Sequence, residues 1–432
     1  MSTRTGPWHS SNGAMEPTMA VLPRTAAFIA ATTAVILAMA GTVTYNIANN
    51  SSNADAVTWW VPDWDYDAAK KLVTAFEKEN SGATVNLVKT TGDTVANRTS
   101  VALNSGDVPD VITESTSRIK GYARKGQLTD LSGQYGPATP KSDFAPGLVE
   151  SLTDQGKTYA VPYRWATNAL IYNPDLFEAA GIDSPPRTWA EFEEDAKRLT
   201  KGNVVGTAWP MQGDPSDLTL RLLDFAISDG STINNGAPEL TEPSVKNALD
   251  LIGGSIRAGW ASPSSFELDN TAIHELFLQG RVAMYQGGVF DVDDAVTHKA
   301  PIATAELPGP NANSVGTAQG SGWAYIVPAK AQHKDAAEKL VAFLGKPENM
   351  AALTLTFPAR LSAFKDAKFQ TELREPYVRQ LTDHSTPAPD DPRWTATIPG
   401  VHNETQKVGL GQRSSSAAAK NIVAQADKAL GR

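Results

Sequence analysis

The 432-residue chain is 41% hydrophobic and 20% charged, enough apolar material for a large core spread over two or three domains. A formal charge of −9 without any clustered Lys/Arg run excludes a nucleic-acid binder, because phosphate neutralisation needs such clusters. These residues contain no cysteine, which excludes disulfides, cysteine nucleophiles, cysteine-held metals and a lipid-bearing cysteine.

The N-terminal part reads as a targeting region. Residues 1–25 form a cytoplasmic leader containing Arg4 and Arg24, and the stretch AAFIAATTAVILAMA at 26–40 carries no charge. Two fates are open for residues 26–45. Ala38-Met39-Ala40 fits signal-peptide cleavage before Gly41, whereas the continuation of the apolar run to Tyr45 fits a signal anchor. Residues 46–55, NIANNSSNAD, form a polar linker. The expected location is extracytoplasmic, at the outer face of the cell membrane, with the protein secreted or anchored by 26–45.

Beyond the linker, Val57–Val61 is β-rich, and Asp67–Asn80 places Ala68, Leu72, Val73 and Phe76 on one helical face. Thr84–Val88 and Val111–Thr113 read as strands. Asn173 and Pro174 open a helix as N-cap and first helical residue, and Gly181 closes it. Thr188-Trp189-Ala190-Glu191 is a capping box for a helix running to about Thr200. The alternation implies α/β layering around largely parallel sheets.

Three clusters stand out chemically. Tyr163-Arg164-Trp165 precedes the apolar run Ala169–Tyr172, and a guanidinium between bulky rings is costly to bury and wasteful to expose, so a ligand is expected to use it. Pro62-Asp63-Trp64 lies between the first strand and first helix. There, Asp63 and Trp64 either face a ligand, or Asp63 and Asp65 cap the helix while Trp64 covers a core edge. Trp59 and Trp60, inside the strand, read as core. Enzyme signatures are poor: His9, His274, His298, His333, His384 and His402 form no HExxH, and there is no GxSxG elbow, P-loop or GxGxxG. A glycosidase carboxylate pair leaves no local motif, so that class stays open.

Seven segments in order carry a family resemblance: VTWWVPDWDYDAAKKLVTAFEKEN, LNSGDVPDVITESTSRIKGYARKGQLTDL, GKTYAVPYRWATNALIYNPDLFEAAGI, PPRTWAEFEEDAKRLT, FLQGRVAMYQGGVFD, SGWAYIVPAKAQHKDAAEKLVAFLGKPEN and SSSAAAKNIVAQADKAL. From residue 56 onward the chain resembles the extracellular solute-binding proteins of ABC importers, the group of maltose-binding protein. The resemblance implies a type II periplasmic-binding-protein-like α/β fold: two discontinuous lobes joined by a hinge, with the ligand in the interlobe cleft. It puts residues 56–165 and 323–347 in an N-terminal lobe and 168–320 and 349–432 in a C-terminal lobe. Crossings fall near Ala166–Leu170, Gly320–Trp323 and Gly345–Glu348. The missing cysteine departs from lipoprotein members and leaves the mode of attachment open.

A sugar presents hydroxyls at its edge and apolar C–H faces, so its site needs planar or charged hydrogen-bonding groups together with flat rings. The resemblance places Arg164, Trp165 and Asn168 at the first crossing and Glu114, Ser117 and Arg118 after the Val111–Thr113 strand. It makes Phe290 a stacking ring with Asp291 as acceptor, and Gly322 and Trp323 the second crossing. Trp209 and Arg360 fall in cleft-facing segments. For Glu114 with Arg118 a surface ion pair is the alternative, and for Asp291 a helix N-terminus. The implied protein is a monomeric, non-catalytic carbohydrate receptor for ABC permease transmembrane subunits, without cofactor or metal. A carbohydrate lyase or hydrolase, a membrane-tethered sugar sensor, and a receptor for polyamines, phosphate esters or metals are the alternatives.

Overall fold

Residues 56–432 are described by the structure, a computed structural model; the leader, the 26–45 segment and the linker lie outside the described residues. Among the described residues no helix is long and apolar enough to cross a membrane.

The chain opens with β1 (Val57–Pro62), α1 (Tyr66–Glu79), β2 (Val85–Thr90), α2 (Gly92–Ser105), β3 (Val111–Ser115) and α3 (Thr116–Arg124). Strand β1 is parallel to both neighbours, with Trp59 opposite Leu87 on β2 and Val111 on β3. Helix α1 buries Ala69, Leu72, Val73 and Phe76, a stripe of three- and four-residue steps; Ala69 takes the place expected for Ala68. Trp59 is fully buried and Trp60 nearly so, as their position inside the strand implies.

Next come β4 (Val161–Ala166), β5 (Asn168–Tyr172), α4 (Pro174–Ala179), α5 (Trp189–Leu199), α6 (Pro215–Ser228), α7 (Glu242–Leu249) and α8 (Asn270–Leu278). Both expected caps form. Asn173 accepts from the Leu176 N–H at 3.2 Å, and Thr188 and Glu191 bond each other's backbone at 3.2 and 3.0 Å. Then follow β6 (Met284–Gly288), α9 (Val289–Thr297), β7 (Ala303–Ala305), β8 (Ala318–Ile326), α10 (Lys334–Leu344), α11 (Pro347–Leu353) and β9 (Phe357–Pro358). The chain finishes with α12 (Glu375–Asp383), β10 (Ser385–Pro387), α13 (Ile398–Gly409) and α14 (Ser415–Leu430).

The larger sheet runs β9-β4-β8-β3-β1-β2, with β10 beside β8, and the smaller runs β6-β5-β7. Sheets are less parallel than expected. Among the strands of the described residues only β2-β1-β3 and β8-β10 pair in parallel; β8 runs antiparallel to β3 and β4, and β6 and β7 antiparallel to β5. The cause is connectivity: β8 re-enters the large sheet from the other sheet rather than through a local βαβ crossover. Two apolar cores form, the first of which also takes in Ala169, Ile171 and Tyr285 of the small sheet. One surrounds Trp59, Ile112, Tyr163 and Tyr325, and the other gathers Phe192, Trp209, Leu222, Trp394 and Ile422. This is the two-lobed type II binding-protein arrangement.

The sheets meet at Thr167, the single residue between β4 and β5, whose hydroxyl donates to the Gln319 carbonyl on β8 at 3.1 Å. Gln319 in turn gives its backbone N–H and side-chain amide to Asp224 Oδ1, each at 2.8 Å. Strands β4 and β8 approach so closely that a Cβ at Gly320 would lie 2.3 Å from the Trp165 ring, and one at Gly322 would lie 2.1 Å from the Arg164 carbonyl oxygen. Only glycine fits at either position. At Gly345–Glu348, the third expected crossing, the chain runs from α10 into α11. Helix α11 packs on α1, and β9 pairs with β4, Phe357 opposite Trp165, so the chain stays with the large sheet until Pro358. It reaches the small sheet with α12, where the Tyr377 hydroxyl donates to the Gly287 carbonyl at 3.0 Å. Segments within 347–358 thus pack with the large sheet.

Two outcomes test this hinge. Gly320→Ala is expected to lower stability by about 1–3 kcal/mol through overpacking, whereas Gly121→Ala, inside α3 with nothing within 4 Å of the new Cβ, should stabilise by about 0.5–1 kcal/mol; urea midpoints of the two variants read both. Burial pushes the Asp224 carboxyl up to about 7, against the donors from Gln319 and Gln286 and the nearby Arg221. The folded protein then holds this proton up to about pH 7, while the unfolded chain releases it near its ordinary value of about 3.9. The group's contribution is full below about pH 4 and is lost as pH climbs to about 7. Asp224→Asn should remove that single-proton slope from the unfolding free energy measured between pH 4 and 8.

Candidate functional site

The parallel strands β1 and β3 end at one edge of the large sheet, where loops leave for α1 and α3; such carboxyl-end edges are where α/β sheets receive ligands. In register across this edge, Arg164 on β4 pairs with Trp323 on β8, which pairs with Ser115 at the end of β3. Residues two apart share a strand face, so Arg164 and Trp165 point to opposite sides.

Trp64, in the turn after β1, is 38% exposed and meets the half-buried Trp323 edge to face at 5.0 Å. The Arg164 guanidinium sits 5.2 Å from the Trp64 ring and 6.0 Å from the Trp323 ring. It is thus held by cation–π attraction rather than by hydrogen bonds. Asp63 is exposed, and its carboxylate accepts only from the Trp64 N–H, at 3.2 Å. Asp65 makes no side-chain cap bond, so the capping alternative fails for it. It turns inward, 1% exposed, and accepts a 2.5 Å hydrogen bond from the Tyr163 hydroxyl. Burial pushes this carboxyl up, partly opposed by the Tyr163 bond and by Arg164.

Glu114, fully buried, accepts from Arg118 Nη1 and from the Ser115 N–H, both at 2.8 Å, through one oxygen. Its second oxygen is buried without a partner. Ser117 is exposed, with its hydroxyl 3.0 Å from that of Ser115. Thr116 accepts from the Gly322 N–H at 3.3 Å and so ties the start of α3 to the crossing strand.

On the small sheet, Asn168 pairs with Gly288 at the end of β6, and α9 begins there. Phe290 is 63% exposed, an unusual position for a large ring, with its edge over Gly288. Asp291 accepts from the Gly288 N–H at 3.3 Å and bonds the Tyr285 hydroxyl; it is half-buried, and burial pushes its carboxyl up. This makes Asp291 chiefly a helix-N-terminal residue that aims Phe290. Behind it His274 links the Tyr285 hydroxyl and Asp294, each at 2.8 Å.

Three of the expected contact residues are buried. Trp165 is 1% exposed, wedged under Gly320, and serves as core of the crossing. Trp209 is 2% exposed in the second core, where its indole N–H donates to Ser255 at 2.9 Å. Arg360 is 6% exposed and locked by Asp143 at 2.6 Å and by the Gly345 and Ala138 carbonyls. Trp209 and Arg360 have their partners inside the protein, whereas the Trp165 indole N–H is buried without one. Asp63, Trp64, Glu114, Ser117, Arg118, Arg164, Gly322 and Trp323 gather at the large-sheet edge, and Asn168, Phe290 and Asp291 at the small-sheet edge. Arg164 and Asn168 stand four positions apart in sequence, on either side of Thr167. Sequence reasoning missed Asp65, Tyr163 and Asp224 as organisers; a lone buried carboxyl leaves no pattern in spacing.

Chemically, the arrangement offers flat apolar rings, an arginine fork and hydroxyls, a set suited to holding a small polar molecule. Among the described residues no group of three or more His, Asp or Glu could hold a metal ion.

Residues 65–351 match the family model of the bacterial extracellular solute-binding protein. An uncharacterized lipoprotein from the oleD 5′ region of Streptomyces antibioticus is 30% identical over 329 residues, 72% of this chain and 71% of its own. Maltodextrin-binding protein MdxE of Bacillus subtilis is 26% identical over 377 residues, 82% of this chain and 85% of its own. The structure of the sugar-binding protein MalE from Xanthomonas citri shares the fold, with a TM-score of 0.78 at 23% identity over 87% of this chain and 97% of that one. With two sheets, strands that cross between them and an edge lined by rings already in place, the chain belongs to the bacterial extracellular solute-binding protein family.

Proposed function

We propose that this protein is the extracytoplasmic receptor of an ABC importer, binding a mono- or oligosaccharide between its lobes and delivering it to the permease subunits as a monomer. The observation that carries this reading is the set of half- to well-exposed rings, Trp64, Trp323 and Phe290, beside hydrogen-bonding groups at the facing sheet edges. Rings of this kind cover C–H faces with little loss of side-chain entropy, and the polar groups meet hydroxyls. Named relatives that bind maltodextrins and maltooligosaccharides support the same class.

Closure about Thr167 and the β8 glycines brings the two sets of rings onto one guest, so ligand shifts the population toward the closed form. A contact between distant segments already helps hold the bodies together: Lys120 on α3 meets Asp390, beyond β10, at 3.3 Å, with both side chains largely buried. The Asp390 N–H donates in turn to the Gly236 carbonyl at 3.0 Å. Because no cysteine is present to carry lipid, retention at the membrane falls to the N-terminal segment or to the permease itself. The binding-protein family also argues against turnover, so a bound oligosaccharide is returned unchanged.

A thermal-shift screen over monosaccharides, maltose and maltotriose should show a rise in melting temperature for at least one sugar. For that sugar, Trp323→Ala and Phe290→Ala are each expected to weaken binding about tenfold or more in calorimetric titration. No response to any carbohydrate, or release of shorter sugars on incubation, would remove the receptor reading.

A further inference from the structure

Building on the carbohydrate reading above, we propose that the guest is an acidic sugar, one bearing a carboxylate as a hexuronate does, and that Arg164 is the group that receives it. Four other arginines near the crossings and the small sheet are committed. Arg118 bonds Glu114 at 2.8 Å, Arg360 bonds Asp143 at 2.6 Å, Arg374 grips Asp293 through both oxygens at 2.7 and 2.6 Å, and Arg221 donates to the Gln286 carbonyl at 3.1 Å. Arg164 is different. Its Nε is buried without a hydrogen-bond partner, and among the described residues nothing accepts a hydrogen bond from its guanidinium.

Its surroundings explain what is left over. Trp64 and Trp323 occupy the neighbourhood of the guanidinium plane and fix it without using its N–H groups. Asp65, whose carboxyl feels the Arg164 charge, has its Oδ2 taken by the Tyr163 hydroxyl, and burial favours its neutral form. Glu114, the other buried carboxylate at this edge, is neutralised by Arg118. The protein therefore supplies a pre-oriented fork at a ligand-facing edge to which, among the described residues, no carboxylate is bonded; the exposed Asp63 at this edge takes the Trp64 N–H instead.

When the lobes close, water leaves this edge, and a desolvated guanidinium without a counter-charge is costly. Neutral hydroxyls satisfy its donors but not its charge. A planar carboxylate satisfies both, in the two-point geometry that arginine presents and lysine does not. The rings beside it then take the sugar's C–H face.

The test is calorimetric titration of the intact protein with galacturonate, glucuronate and digalacturonate. Galactose, glucose and maltose serve as neutral counterparts, methyl galacturonate ester as the uncharged near-isostere, and glucose 6-phosphate as the alternative anion. A uronate should bind at least about tenfold tighter than its neutral counterpart and its ester, and Arg164→Gln should abolish that preference while Arg164→Lys keeps only part of it. The ester comparison needs no variant, so it decides even if Arg164→Gln folds poorly. Neutral sugars binding as tightly as uronates, or glucose 6-phosphate outcompeting them, overturns the proposal and leaves the carbohydrate reading standing. Binding of no sugar of either kind overturns both.

Discussion

The architecture depends on one close approach: strand β8 lying against β4 with glycine at 320 and 322. Any side chain at these positions would enter the Trp165 ring or the Arg164 carbonyl. The contact fixes Trp165 as the packing wedge and so turns Arg164, its neighbour on the same strand, to the opposite face beside Trp323. Thr167 then passes the chain to the small sheet within one residue, and its hydroxyl ties the passage to Gln319. The two sheets are thereby held by a joint too short to let them drift apart.

Charge is distributed by the same logic of commitment. Several ions with a structural task carry a partner with them, as in Glu114 with Arg118, Asp143 with Arg360, Asp293 with Arg374 and Lys120 with Asp390, each pair with at least one side chain largely buried. Buried pairs of this type contribute little net energy, because desolvation offsets attraction, but removal of one member leaves an expensive orphan. They act as locators of segments far apart in sequence. Against that background an arginine supported only by aromatic faces marks the place where the protein's own polar complement stops.

Much of this was legible in the chain. The caps at Asn173 and Thr188 were readable because capping is local, with donor and acceptor three residues apart. The alternation of strands and helices predicted an α/β fold, and the seven ordered segments predicted its family. Placement of side chains was harder. Arg164 and Trp165 look equivalent as neighbours, yet strand alternation sends one to the edge and the other to the core. Trp209 and Arg360 have the right chemistry for a ligand, but Ser255 and Asp143 claim them, and those partners are distant in sequence. Strand β9 was not legible, because it is only two residues long and so short a strand leaves no periodicity to read.

The order of strands in the large sheet carries a consequence for how the molecule comes into being. Strand β8 occupies the slot between β3 and β4, yet it is made only after every strand of the small sheet. Until then, the emerging first half has two naked strand edges facing a gap, with their apolar rows unsheltered. Pairing across such long loops pays its entropy before its reward, so assembly is slow and late, and the half-made sheet is the species most exposed to sticking to its own kind.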